Sequence, residues 1–268
     1  MDGGQKAVGA NNHSPLLTKY DVRVTKYESR AANHEPMELS IIIPTLNEAE
    51  NIASLLQSFP EYPGMEVIVV DGGSRDHTLE LARRGGAITT VSSPGRGNQL
   101  NRGAALARGK TLFFLHADCR ITREGISGIM ETMKTGKYQG GAFYLSLDRK
   151  GKTLDWIVWG ANLRSRFLKI AYGDQGIFVD ARRFQALGGF KEIPLMEDDD
   201  FFRRLLKSGE VIFIEKGLTA SSRRWEKEGV LYATLRNWTL YALYRLGVSP
   251  FTLNKWYPRI RMQENREG

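Results

Sequence analysis

Acidic residues gather at four places along this chain of 268 residues. The four groups are Asn47-Glu48, Asp71 with Asp76, Asp118, and Glu197-Asp198-Asp199-Asp200. One such group is ordinarily a helix cap or a solvated loop, and Asp76 alone fits an N-cap for the helix after it. Four groups delivered to one crevice predict a site for a hard divalent cation, Mg²⁺ or Mn²⁺, because both ions suit oxygen ligands. A cation among carboxylates in turn favours a substrate that carries phosphate groups.

The first two acidic groups belong to a predicted βαβ unit. Residues 41–43 have the apolar pattern of a buried strand, which ends in PTLNE at 44–48, and residues 52–59 have helical spacing. A second apolar strand at 67–70 ends in DGGSRD at 71–76. Because open α/β sheets bind ligands in the crevice at the carboxyl ends of their strands, both loops are predicted to line the functional site.

Strand and helix patterns continue to alternate along the chain. Further strands are predicted at 87–91, 111–115, 140–147, 177–179 and 211–214, and helices at 78–84, 98–107, 124–134, 154–168, 182–187 and 198–208. The alternation predicts an α/β domain over residues 39–228, with a mixed, mostly parallel sheet and helices on both faces. Residues 1–38 are polar and predict a flexible extension. Residues 229–268 are predicted to form an amphipathic helix and a basic tail.

The composition limits the class of partner. A net charge of +8 and a pI near 9.5 suit a nucleoside diphosphate, an acidic membrane surface or nucleic acid. No recognisable nucleic-acid-binding module supports the last of these, so no nucleic-acid partner is expected. Cys119 is the only cysteine, which excludes an intramolecular disulfide and a cysteine-based zinc site. Since no signal peptide or bilayer-spanning apolar run is recognisable, we expect a cytoplasmic protein, at most peripheral at the inner face of a membrane.

Taken in order, several segments between Leu39 and Trp225 resemble an inverting, family-two glycosyltransferase of the GT-A type. The matching segments are IIIPTLNEAENI, EVIVVDGGSRDHT, GRGNQLNRGAALARG, LFFLHADC, GDQGIFVDARRFQALGGF and PLMEDDDFFRRL. Four of them, GRGNQLNRGA, LHAD, GDQGIFV and PLMEDDD, are most similar to the small soluble subgroup of radical-SAM/selenodomain-associated transferases. The resemblance implies a single GT-A-like domain with a Rossmann-like nucleotide-binding half.

The resemblance also implies a binding site for a nucleotide-sugar donor, such as a UDP- or GDP-sugar. Pro44, Thr45 and Glu48 match the loop that holds the ribose and the base. Asp71 matches the acid that accepts a hydrogen bond from a uracil-like base edge. The segment that lies near the diphosphate contains Arg96 and Asn101.

The metal and the catalytic base are implied in the same way. Asp118 matches the last acid of the family's D-x-D metal motif, but the first position of that motif is His116 here. The histidine either ligates Mn²⁺ or stays off the metal, and both alternatives remain open. Asp198 matches the catalytic acid of the E-D motif, and Glu197 would orient the acceptor or the backbone.

Two further segments are candidates for the acceptor side. SSRRW at 221–225 resembles the Q-x-x-R-W motif of processive members but lacks the glutamine and their membrane helices, which argues against polysaccharide synthesis. Arg224 would meet the leaving diphosphate and Trp225 would line the acceptor site. Their alternatives are a surface arginine and a half-buried tryptophan. Gly189 and Phe190 of the GGF turn are predicted to position the acceptor, or else to form a helix C-cap with an apolar anchor.

The implied reaction moves a sugar to an acceptor hydroxyl with inversion. The leaving diphosphate needs a divalent cation and Arg or Lys donors, and the hydroxyl needs a base, for which Asp198 is the candidate. A nucleotidyltransferase is a weaker alternative, because PTLNEAEN offers no Gly-rich phosphate loop with a lysine. A catalytically silent nucleotide-binding or adaptor protein is kept open by His116. The sequence identifies neither the sugar nor the acceptor.

The C-terminal segment carries an apolar stripe at helical spacing. Its members are Leu231, Leu235, Trp238 and Ala242, and Leu240, Leu243 and Tyr244 widen it. We expect this stripe to pack on the catalytic domain or across a homodimer interface. The alternative is an in-plane membrane contact through residues 230–261, which would deliver the enzyme to a lipid-linked acceptor.

Overall fold

Strands and helices alternate through residues 37–257, the part of the chain that the computed structural model describes. The strands there are β1 (Leu39–Thr45), β2 (Met65–Asp71), β3 (Ile88–Val91), β4 (Thr111–Phe114), β5 (Arg120–Ile121), β6 (Gly140–Phe143), β7 (Ile177–Asp180), β8 (Val211–Ile214) and β9 (Leu218–Thr219). The α-helices are α1 (Ala49–Ser58), α2 (Thr78–Arg84), α3 (Arg96–Leu106), α4 (Arg123–Lys134), α5 (Lys152–Leu168), α6 (Ala181–Ala186), α7 (Glu197–Ser208), α8 (Arg223–Glu228), α9 (Val230–Arg245) and α10 (Pro250–Leu253). Short 3₁₀-helices span Gly173–Gln175 and Asn254–Trp256.

The main sheet is mixed, with the order β3-β2-β1-β4-β7-β6-β8. The first four of these strands are parallel, β7 runs antiparallel to both of its neighbours, and β8 is parallel to β6. The near-continuous apolar runs of β1 and β2 fit this position, because parallel strands are covered on both faces. The predicted mixed, mostly parallel α/β fold is confirmed.

Two apolar clusters pack on opposite faces of the sheet. Ile41 and Ile43 belong to one cluster and Ile42 to the other, as the two-residue period of a strand requires. Buried residues of α1 and α4 fill the first cluster, and those of α3 and α7 fill the second. Helices therefore cover both faces, and the carboxyl ends of β1, β2 and β4 are left at one edge.

The strand predicted over 140–147 is shorter than expected. β6 ends at Phe143, and beyond it the backbone of Leu145 is bound at both N–H and C=O by the Asn162 side chain of α5. A side chain thus replaces the strand partner at this point. An isolated bridge joins Leu147 to Ala220 farther on.

A second sheet, of only two short strands, was not predicted. β5 pairs antiparallel with β9, so that Arg120 lies opposite Thr219 and Ile121 opposite Leu218. The segment that precedes β5 contains Asp118, and the segment that follows β9 contains SSRRW. The small sheet thus directs these two predicted site segments to the same end.

The expectation that the stripe of α9 packs on the catalytic domain is wrong for its main members, although Leu240, one of the residues that widen it, is buried. Leu231, Leu235 and Trp238 are 72%, 62% and 64% exposed, whereas the buried side of the helix carries Ala233 and Leu240. No helix among the described residues is long and apolar enough to cross a membrane. The predicted N-terminal extension lies outside the described residues except for positions 37 and 38, and so does the tail beyond residue 257.

Candidate active site

Asp71 ends β2 and organises the loop that follows it. One carboxylate oxygen accepts hydrogen bonds from the backbone N–H groups of Gly73 and Ser74, at 3.0 and 2.8 Å. The other accepts from the hydroxyls of Ser74 and Thr45. Four donors of its own loop region therefore satisfy this buried carboxylate.

The loops after β1 and β2 are bound to each other. Asn47, with a positive φ of 53°, donates its N–H to Ser74 and accepts the N–H of Arg75 at its side chain. Asp76 accepts from the N–H groups of Ala49 and Thr78, but the N-cap position of α2 is His77, so Asp76 lies one residue before the position predicted for it. Buried Glu48 donates its N–H to the Thr78 hydroxyl at 2.7 Å, next to half-buried Pro44.

Gln99 fastens these loops to α3. Its amide donates to the carbonyl oxygens of Thr45 and Val70, at 2.8 and 2.9 Å, and the side chain is buried. The sequence analysis gave this residue no role. Its position in GRGNQLNRG was visible, but only the fold reveals that it faces two strand ends.

A second group of polar residues surrounds a small cavity between β4, β7, α3 and α7. It is lined by Arg96, Leu100, Phe114, His116, Gly173, Ile177, Phe190 and Asp198. The charged members come from segments that are far apart in the sequence. The fold thus brings together Arg96, His116 and Asp198, one residue from each of the predicted diphosphate, metal and catalytic sets, whereas Asn101, Asp118, Glu197 and Arg224 do not line the cavity.

Asp198 is held at the N-terminus of α7 by two backbone donors. Its carboxylate accepts the N–H of Gly173 at 2.7 Å and that of Asp199 at 2.8 Å. A Cβ at Gly173 would lie 2.6 Å from Nε2 of His116, so a glycine is needed for this close approach. Met196, just before α7, has a positive φ of 67°, a strained conformation for a non-glycine residue.

Glu197 forms an ion pair at 3.3 Å with Arg96, which lines this cavity. Burial raises the pKa of Glu197; Arg96 opposes that shift and Asp198 adds to it. The net pKa of Arg96 is raised. Burial alone would lower it, but the negative charges of Glu197, Asp198 and Asp118 together outweigh the effect of burial. The guanidinium therefore stays charged and faces several carboxylates.

The other two acids of the EDDD segment are structural. Asp199 pairs with Arg203 at 2.8 Å, one helical turn away. Asp200 pairs with Lys191 and Arg204, each at 2.8 Å. Neither lines the cavity.

Asp174 is a further acid of this site that the sequence analysis missed. Burial raises its pKa to about 6; Arg164 opposes the shift, and Asp198 and Asp118 add to it. The next residue, Gln175, is buried and donates to the Phe143 carbonyl and the Ser165 hydroxyl, which fixes the turn. The GDQ sequence was visible as a matching segment, but no role had been assigned to its acid.

His116 and Asp118 follow β4 and offer a partial set of metal ligands. Desolvation and the charges of Arg96 and Arg224 hold the pKa of His116 well below its usual value, so the imidazole is neutral, as a metal ligand must be. Among the described residues, no three His, Cys, Asp or Glu side chains form a cage for a metal. Two protein donors fit a cation that is held jointly with substrate phosphates, the usual arrangement for Mg²⁺.

Arg224 also reaches this region. Its guanidinium lies 4.9 Å from the ring centre of Tyr257, and its charge influences the pKa of His116 and of Asp174. Trp225 is half-buried and packs against one of the two apolar clusters.

The GGF turn is fully engaged inside the protein. Phe190 is buried among Phe114, Phe184 and Phe201, and the Asn101 amide binds both the N–H and the C=O of its backbone. Gly189 has a positive φ of 68° and follows the end of α6. This geometry supports a helix C-cap with an apolar anchor, and the acceptor role of the turn stays a prediction.

Comparison with protein families gives one match. The family described as "Glycosyl transferase family 2" matches residues 40–184, which is more than half of the chain. Glycosyltransferase AglD of Haloferax volcanii is 32% identical over 130 residues, which are 43% of this chain and 21% of that protein. The matched regions span about a fifth of the length of the first curated relatives.

Solved structures with similar folds include two complexes with donor nucleotides. The mannosyltransferase PcManGT from Pyrobaculum calidifontis, in complex with GDP-Man and Mn²⁺, superposes with a TM-score of 0.59 and 20% identity over 91% of this chain and 69% of that one. Glucosyl-3-phosphoglycerate synthase from Mycobacterium tuberculosis, bound to Mn²⁺, UDP and glucosyl-3-phosphoglycerate, gives 0.55 and 19% over 89% and 87%. At these identities the likeness establishes the fold.

Proposed function

Because this chain belongs to glycosyl transferase family 2, we propose that it transfers a sugar from a nucleotide-diphosphate sugar to an acceptor hydroxyl. The observation that carries the proposal is the convergence of Arg96, His116 and Asp198 on one cavity from three distant segments. Such a transfer needs a base for the acceptor hydroxyl, positive charge near the leaving diphosphate and a ligand for the metal. Asp198, Arg96 and His116 are proposed to supply these three groups in turn. The proposed donor is a UDP- or GDP-sugar, because the two solved neighbours are complexes with GDP-Man and with UDP.

Asp198 is the proposed base. As the acceptor oxygen bonds to the anomeric carbon and the bond to the diphosphate breaks, its carboxylate takes the hydroxyl proton. Two backbone N–H donors orient the carboxylate at the N-terminus of α7. Attack from the face opposite the leaving group inverts the anomeric centre.

Arg96 and Arg224 are proposed to meet the negative charge that develops on the leaving diphosphate. His116 and Asp118 would hold Mg²⁺ or Mn²⁺ together with diphosphate oxygens, and the cation would supply further positive charge there. Glu197 keeps Arg96 in place through its ion pair. Asn101, which binds the Phe190 backbone, is proposed to position the wall of the cavity as well as to lie near the diphosphate.

The nucleotide is proposed to bind over the loops after β1 and β2. Pro44, Thr45 and Glu48 lie there, and the hydrogen bonds of Asp71 fix the loop shape. A direct contact between Asp71 and the base stays a prediction. The same holds for the radical-SAM-associated subgroup, a homodimer and a cytoplasmic location.

A donor screen tests the proposal. Purified protein is incubated with single UDP- and GDP-sugars plus Mn²⁺ or Mg²⁺, and release of nucleoside diphosphate is measured without acceptor. We expect slow, metal-dependent hydrolysis of one donor, absent in Asp198→Asn and retained in Asp155→Asn, a matched change at an exposed position. Nucleotide binding without turnover of any donor would instead favour the catalytically silent alternative.

A further inference from the structure

Large exposed apolar side chains are concentrated in two segments of the molecule. In the described part of the chain, twelve of the thirteen such residues lie on α5 or between Leu231 and Trp256. The thirteenth is Leu106, at the end of α3. The twelve are Trp156, Trp159, Leu163, Phe167, Leu168, Leu231, Tyr232, Leu235, Trp238, Leu246, Phe251 and Trp256. Single exposed apolar residues are ordinary, but a concentration of this kind marks an interaction surface.

Both segments present their apolar residues as helical stripes. On α5, the positions 156, 159, 163 and 167 recur at helical spacing, and on α9 the positions 231, 235 and 238 do the same. The opposite side of α5 packs on the core through Leu154, Val158 and Ala161. The two helices contact each other. The stripes therefore belong to one continuous surface, which we call the α5–α9 face.

The charge around this face is positive. Residues 229–257 contain no Asp or Glu, while Arg236, Arg245 and Lys255 are basic. On α5, Asp155 is the one acid, and Lys152 and Arg166 are exposed bases. Arg236 is compensated by an ion pair with Glu228, and Asp155 is the one acid of the two segments to set against the exposed cations Lys152, Arg166, Arg245 and Lys255.

We propose that the α5–α9 face, continued by the turn that ends at Trp256, docks on a lipid bilayer with anionic head groups. Helices that lie in a membrane interface typically combine Trp, Phe and Leu on one face with flanking Lys and Arg, which is the composition found here. A second copy of the chain fits less well. A two-fold interface would place the same basic residues against one another, and Asp155 is the one acid that α5 and residues 229–257 offer to pair with them.

The face lies next to the candidate active site. Arg164 on α5 lies 4.1 Å from the ring centre of Tyr172, and Tyr172 in turn packs on Tyr241 of α9 at 6.0 Å. Tyr172 directly precedes the turn with Gly173 and Asp174. If the proposed function holds, docking would bring the cavity close to a membrane-borne acceptor; the docking itself does not depend on that function.

Vesicle flotation tests the proposal with the full chain. The protein is mixed with vesicles of phosphatidylglycerol and phosphatidylcholine, or of phosphatidylcholine alone, at physiological salt. The test variant is Trp159→Asp combined with Trp238→Asp, one change on each helix; the control is Leu106→Asp, an exposed apolar residue off the face. We expect wild type and control to float with the anionic vesicles, and the double variant to bind at least tenfold more weakly.

Three results would overturn the proposal. The first is that wild type does not bind anionic vesicles, and the second is that the folded double variant binds them as well as wild type does. The third is that wild type forms a dimer in solution and does not bind vesicles, while the double variant is monomeric. Circular dichroism and a thermal melt check folding, and Phe167→Ser with Leu235→Ser repeats the test at other exposed positions. Acceptor-free donor hydrolysis is measured in parallel, because its absence in wild type counts against the proposed function and not against docking.

Discussion

The loops after β1 and β2 and the centre around Asp198 are both acidic, but their carboxylates are held in opposite ways. Asp71 accepts four hydrogen bonds from its own loop region. For Asp76, burial raises the pKa, but hydrogen bonds from Thr78 and Ala49 outweigh it and the pKa is lowered. Around Asp198, burial and neighbouring charges raise the pKa of Asp174 and of Glu197.

The difference separates a region built for stability from one built for chemistry. Carboxylates that are matched by N–H and O–H donors stabilise a loop in its charged form. Carboxylates crowded together without enough donors destabilise the apo fold, and such groups are typical of sites that bind a cation or move a proton. Substitutions in the two regions should therefore have opposite consequences for stability and for turnover.

The largest effect is expected for Asp198→Asn. Loss of the general base should lower kcat by roughly 10²–10⁴, with donor affinity nearly unchanged. Asn keeps the size of the side chain but accepts only one of the two backbone hydrogen bonds, so only a small fall in melting temperature is expected. Steady-state kinetics and a thermal melt measure both; wild-type kcat would show that the base is wrongly assigned.

Asp71→Ala should show the reverse pattern. The loss of four hydrogen bonds to a buried carboxyl group is expected to lower the free energy of unfolding by about 2–4 kcal/mol. Urea unfolding followed by circular dichroism measures this change, with Asp71→Asn as a milder control. UDP affinity should fall more than kcat at saturating donor, because the loop loses its shape. If both the stability and the UDP affinity were unchanged, the stabilising role assigned to Asp71 would be contradicted.

Metal dependence distinguishes the two residues after β4. Asp118→Asn should raise the Mn²⁺ concentration for half-maximal activity at least about tenfold, and EDTA should abolish wild-type activity. His116→Ala should give a similar rise if the imidazole ligates the metal, and no change if it is a bystander. Full activity of wild type in EDTA would remove the metal from the mechanism.

Asp174→Asn is expected to stabilise the metal-free protein at neutral and alkaline pH. The pKa of Asp174 is raised from 3.8 to about 6, so its contribution to stability is complete below about pH 4 and is lost as the pH rises through 6. Above pH 7 the variant should gain about 1–3 kcal/mol, and near pH 4 the gain should vanish. Thermal melts in EDTA across this range measure it; a gain that does not vary with pH would contradict the assigned cause.

The sequence predicted the parts of the fold that have long periodic patterns. The βαβ unit and the alternation that follows it contain enough apolar positions to define each element. β5 and β9 have two residues each, too few for any periodicity, yet they bring Asp118 and SSRRW together. The main stripe of α9 was wrongly expected to pack inward because only Ala233 and Leu240 are buried on this helix, and tyrosines make its other inward contacts: Tyr241 with Tyr172 and Tyr244 with Arg203.

The candidate site divides in the same way. Asp71 and Asp198 lie at the end and the start of recognisable elements and Asp118 follows a recognisable strand, while the roles predicted for all three were implied by the resemblance to family-two glycosyltransferases. Gln99 and Asp174 were missed because their roles depend on which distant strand ends and charges lie nearby, and spacing along the chain does not contain that information. Phe190 fits the apolar-anchor alternative because its surroundings are aromatic.

The anomeric configuration of the product tests the central claim most directly. With the donor found in the screen, proton NMR follows the anomeric signals of donor and product during the first turnovers. A single base at Asp198 and direct attack by the acceptor oxygen predict a product of inverted configuration. A product that retains the configuration of the donor would require two successive displacements and would contradict the account.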